Sequence, residues 1–84
     1  LTETDIRTAI STAYQNVFHR ALPDDDVNFL SPHVGNRTVD YLYFLQELEQ
    51  ALGVSVTNVL ARNDYTVFTV RNLAQALYRQ YNHP

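Results

Sequence analysis

The sequence predicts an all-α fold: a small four-helix bundle with three main helices, one short helix and a long first loop. Three observations lead there. Apolar residues recur at steps of three and four over 2–22, 38–52 and 69–81. Pro23, Pro32, Gly35 and Gly53 fall between those stretches. The hydrophobic share is 45%, ordinary for a chain that folds around a core. With 84 residues there is room for one domain, 1–84, and its core is small enough that packing quality decides stability.

The first helix is expected over 2–22. Ile6, Ala9, Ile10, Ala13, Tyr14, Val17, Phe18, Ala21 and Leu22 line one face, and Thr2 is an N-cap candidate with Asp5 three positions on. Pro23 and the run Asp24–Asp25–Asp26 are expected to end it. The loop 23–37 carries Val27, Phe29, Leu30 and Val34, which need burial across the bundle. A second helix runs from about Thr38 to Leu52, with Val39, Leu42, Leu45, Leu48 and Leu52 as its inner face and Gly53 as its C-cap residue. Residues 54–68 read as a connector with one or two helical turns. Thr69 caps a last helix whose apolar stripe is Val70, Leu73, Ala74, Leu77 and Tyr81, with Arg79 near its C-terminal end.

Composition narrows the function classes. Net charge is −3, which disfavours a nucleic-acid partner, because phosphates reward a basic face. No apolar run approaches the length of a membrane span, and no signal-peptide pattern opens the chain. The chain lacks cysteine, which excludes disulfides and thiolate metal sites and suits a reducing cytoplasm. Leu1 in place of Met leads us to expect a trimmed chain or one cut from something longer. Neither a nucleophile–base–orienter set nor a Gly-rich phosphate cradle is visible, so the chain is not expected to be an enzyme.

The joints between these elements resemble those of the acyl carrier and peptidyl carrier protein family. Val34-Gly35-Asn36-Arg37-Thr38-Val39 lies where that family shows Leu-Gly-Gly-Asp-Ser-Leu, and Asp40 follows as in many members. LYFLQELEQALGV looks like the family's second helix, and FTVRNLAQAL like the start of its last. The likeness spans the chain from about residue 27 onward. It implies 4′-phosphopantetheine on the residue at position 38, and docking of biosynthetic enzymes on the second helix through Asp40, Tyr41, Glu47 and Glu49, the protein acting as a monomer. The departures fall on the chemistry. Thr38 stands where the family has Ser; its hydroxyl is secondary and its χ1 restricted, so it is a more crowded nucleophile. Arg37 stands where the family has Asp and reverses the local charge, an effect of about 1 kcal/mol for a charge at contact distance even in water. The loop before Gly35 is about two residues longer than the family's pattern.

Three readings of Thr38 remain open from its residue type alone. Its hydroxyl can cap the second helix, it can bear the covalent arm, or Arg37 beside it can hold a phosphate without covalent chemistry. Asn36-Arg37-Thr38 is also a glycosylation triplet, read as accidental without a secretory signal. Asp24, Asp26 and Asn28 copy the first positions of a calcium loop, but Phe29 and Gly35 occupy the turn and bidentate positions, so no metal site is expected. His19, His33 and His83 have no ligand spacing; His19 reads as a helix-end residue. Tyr41 and Tyr43 cannot face the same way, so one is expected half-buried and the other open to a partner.

Overall fold

Thr2 starts the first helix, α1 (Glu3–Phe18), through a reciprocal capping box: its Oγ1 accepts from the Asp5 N–H at 3.1 Å and its own N–H donates to Asp5 Oδ2 at 2.9 Å. The computed structural model describes residues 2–29, 31, 34–37 and 39–82. The helix ends four residues earlier than the sequence pattern predicts. His19 takes a left-handed conformation (φ 56°) and its N–H closes on the Gln15 carbonyl at 2.9 Å, so the chain turns away before Pro23. Ala21 and Leu22 therefore leave the helical stripe: Ala21 is exposed, while Leu22 packs on the core from the loop.

Three further helices follow: α2 (Asp40–Leu52), the short α3 (Val56–Ala61) and α4 (Val70–Asn82), with a 3₁₀ turn at Tyr65–Val67 before the last. Among the described residues all regular structure is helical, which makes the expected small helical bundle. Gly53 ends α2 at φ 69°, a conformation that glycine adopts without a Cβ penalty, and its N–H bonds the Glu49 carbonyl. Ser55 caps α3 by accepting from Asn58, and Thr69 caps α4 by accepting from Asn72 at 3.1 Å.

α1 packs against both α2 and α4. Its buried face, Ile6, Ile10, Ala13, Tyr14 and Phe18, meets Val70, Leu73, Ala74 and Leu77 of α4 and Tyr41, Phe44, Leu48 and Leu52 of α2 in one core. At the α2 end that core is aromatic. The Tyr14 ring lies 4.6 Å from Phe18, 5.4 Å from Phe29 and 5.9 Å from Phe44, and Phe18 lies 5.1 Å from Tyr41. Such pairs add about 0.5–1.5 kcal/mol each beyond the area they bury.

α2 is rotated from the expected phase. Tyr41, Phe44, Leu48 and Leu52 are inside, at steps of three, four and four, whereas Val39 and Leu42, expected inside, are 46% and 69% exposed. Packing decides this: rings at 41 and 44 find ring partners on α1 and at Phe29, and this stripe buries larger side chains than one through Val39 and Leu42. Leu45 is half-buried beside it.

The long loop is tied at both ends. Phe29 is fully buried, and its N–H donates to the Phe68 carbonyl at 2.7 Å. Asp25 accepts from Arg7 at 3.0 Å, Asp26 accepts from Arg71 at 2.8 Å, and the Arg71 N–H donates to the Asp25 carbonyl. The acidic run is thus an anchor between α1 and α4. Among the described residues no cluster of metal-ligating side chains forms.

Candidate functional site

The chain approaches α2 through Val34–Arg37, and two contacts from α1 and its end hold this approach. Arg20 donates to the Val34 carbonyl at 2.5 Å and lies under Gly35, where an added Cβ would sit 3.3 Å from its guanidinium. Gly35 also has φ 75°, so both conformation and space favour glycine here. Asn36 donates to the Tyr14 hydroxyl at 2.6 Å, which links the loop to the aromatic core. A cleft of about 250 Å³ opens beside this strap, with His19, Arg20, Asn36, Arg37 and Asp40 on its walls.

Thr38 lies outside the described residues, as do Leu30, His33 and His83. Its neighbours are placed. Arg37 projects outward with its side chain 79% exposed and makes a loose contact of 3.8 Å with Asp40, which is half-buried in the first turn. α2 begins at Asp40, two residues later than expected, with Val39 as N-cap residue and no side-chain cap bond from it. The opening N–H groups of α2 bend back on the approach: Asp40 donates to the Arg37 carbonyl at 3.1 Å and Leu42 to the Val39 carbonyl at 3.3 Å, beside the exposed Arg37 guanidinium.

The four side chains expected to face partners have different fates. Tyr41 is corrected from a docking residue to a core residue: it is buried, and its hydroxyl donates to the Phe29 carbonyl. Burial pushes its phenol above the ordinary value, so it remains neutral. Glu49 turns toward the α2–α3 corner, where Oε1 accepts from the Val56 N–H at 3.0 Å. Glu47 accepts from Asn16 of α1 at 3.4 Å, and Asp40 faces Arg37.

In place of a simple acidic face, the opening of α2 carries an apolar one. Val39, Leu42 and Tyr43 are 46%, 69% and 59% exposed, and with Tyr78 and Tyr81 they make up the large exposed hydrophobics among the described residues. Val39 and Leu42 are the aliphatic members of that set, with no hydroxyl to satisfy in water. Sequence reasoning assigned both to the core. The signal that could have found them is crowding: six of the seven residues from 39 to 45 are apolar or aromatic, more than one helical face can bury.

No family model, curated protein or solved structure matches this chain.

Proposed function

We propose that this chain is a carrier-protein-like docking domain that enzymes of a biosynthetic pathway (fatty acid, polyketide or peptide) engage through the opening turns of α2, with an atypical attachment position at Thr38. The observation that carries the proposal is the exposed face of Val39, Leu42 and Tyr43, next to position 38 in the helix that the resemblance names as the docking element. Fully burying one side chain of the Leu class against a partner contributes about 1.5–3 kcal/mol, and an exposed Tyr is a frequent anchor of recognition surfaces. Asp40 and Glu47 lie on the same helix and give a basic partner something to steer by.

The surroundings of position 38 suit a phosphate. The Arg37 guanidinium is exposed and only loosely held by Asp40 at 3.8 Å, so it can turn toward an anion there. When bound, 4′-phosphopantetheine would supply a thiol on which acyl or peptidyl cargo rides as a thioester, and Arg37 would contact its phosphate.

A second reading, an unmodified adaptor that only docks, is favoured by the same two departures: Thr for Ser, and an exposed Arg for Asp. Intact mass after incubation with coenzyme A and a promiscuous phosphopantetheinyl transferase separates the two. A gain of one arm that disappears in Thr38→Ala supports the carrier; an unmodified wild type beside a loaded Arg37→Asp/Thr38→Ser double variant supports the adaptor. If the double variant also stays unloaded, the likeness to carriers at this site is superficial.

A further inference from the structure

All six cationic side chains of the protein, apart from histidine, are arginines. Arg7, Arg37 and Arg71 lie against carboxylates. Arg20 donates to the Val34 carbonyl. Arg62 and Arg79 have no hydrogen-bond or ion-pair partner for their side chains among the described residues, and both line the same groove.

That groove lies between α3 and α4 and holds about 370 Å³. Its floor is Val59 and Ala76, and its walls are Arg62, Asn63, Arg79 and Gln80. A second hollow of about 220 Å³ shares Asn63, Ala76 and Arg79 and continues past Thr66, Asn72 and Gln75. Among the described residues no carboxylate lines either hollow. Asp64, next in sequence to Asn63, is turned back on its own loop: it accepts from the hydroxyl and the N–H of Thr66, which hold its carboxyl below the ordinary value.

In a chain with nine acids and a net charge of −3, two guanidiniums with no carboxylate partner among the described residues share one groove. Arg79 in the last turn of α4 complements the helix dipole, but that role does not require Arg62 in the same hollow. Two like charges sharing a groove repel, and an anion between them removes the repulsion. Guanidinium forks match the oxygens of phosphate in geometry, and a phosphate monoester carries about −1.5 to −2 charge at neutral pH, close to what two arginines supply. In the adjoining hollow the Asn63 and Asn72 amides donate to the Val59 and Thr66 carbonyls and the Thr66 hydroxyl to Asp64, which leaves the Gln75 amide to meet a small polar body attached to the phosphate.

We propose that the α3–α4 groove is a binding site for a small phosphate monoester, with Arg62 and Arg79 clamping the phosphate and Gln75 and Gln80 facing the remainder of the molecule. The groove draws no residue from α2, so it stands or falls independently of the docking proposal.

The test is a ¹⁵N-HSQC titration of the full chain with glycerol 3-phosphate, with succinate as a dicarboxylate of similar size. Saturable shifts at Arg62, Asn63, Ala76, Arg79 and Gln80, with a Kd of about 10 mM or tighter, are expected. Succinate should bind at least about tenfold more weakly, and so should glycerol 3-phosphate to the Arg62→Gln/Arg79→Gln variant. Both arginines are exposed, so the circular dichroism of this variant should match the wild type. Arg62→Lys/Arg79→Lys, which keeps charge and loses the forks, should fall in between. Failure to saturate, equal affinity for succinate, or unchanged binding by the glutamine variant would each overturn the proposal.

Discussion

α2 and α4 are both thirteen-residue helices on the same core, yet they treat their outer faces differently. α4 buries Val70, Leu73, Ala74 and Leu77 and turns Arg71, Asn72, Gln75 and Arg79 outward, with tyrosines as its only large exposed hydrophobics. α2 fills its share of the core with Tyr41, Phe44, Leu48 and Leu52 and still leaves Val39, Leu42 and Tyr43 in solvent. The fold does not need those three side chains. Folding alone would favour polar residues there, so their retention outside the core directs attention to a partner.

Phe44→Ala removes a fully buried ring that meets Tyr14, Phe18 and Phe29, and should cost about 3–5 kcal/mol in denaturant unfolding, a large part of the stability of so small a domain. A loss below about 1 kcal/mol would mean that α2 is not seated in this phase. Tyr41→Phe should cost about 1–2 kcal/mol, because it strips the hydroxyl donor from the Phe29 carbonyl; if Tyr41 faced solvent, the same change would be silent.

The anchor of α4 is sharpened by pH. Asp26 is held below its ordinary value of 3.8 by its hydrogen bond from Arg71, and Arg71 is raised in turn. A carboxyl depressed in the folded state contributes stability that is present above its unfolded value and lost as pH falls through the folded one. Stability should therefore decline from about pH 3.8 downward, and Asp26→Asn should flatten part of that decline. Asp5 and Asp64, lowered by bonds from Thr2 and Thr66, should retain the rest. Equal slopes in the two proteins would count against the Arg71–Asp26 contact. The smallest effect on folding is expected at Leu42→Ser, within about 0.5 kcal/mol of wild type in the same unfolding assay.

How far each helix could be read from the sequence follows from the same contrast. α4 was legible because Val70, Leu73, Ala74 and Leu77 repeat as one stripe and Thr69 marks its start, although Tyr81, expected to continue that stripe, is 40% exposed. α1 was legible at its start, where Thr2 and Asp5 form a local cap, but not at its end. Ala21 and Leu22 prolong the apolar rhythm past His19, whose left-handed turn leaves no mark in hydropathy. α2 was legible as a helix and illegible in phase. With six apolar or aromatic residues in seven, periodicity admits several faces, and long-range ring contacts from Phe18 and Phe29 choose among them. The candidate site inherits that difficulty. Exposed Arg37 could be anticipated from its charge. Buried Tyr41 and the inward turn of Glu49 depend on the aromatic core and on the α2–α3 corner, which no local pattern encodes.

The most direct measurement is transferase loading of the Arg37→Asp/Thr38→Ser variant with and without Leu42→Glu, read by intact mass. An α2 opening that serves as the docking face predicts one added arm in the double variant and its loss when Leu42→Glu is included, with unchanged circular dichroism. Loading that proceeds equally with Leu42→Glu, or no loading of the double variant at all, would contradict it.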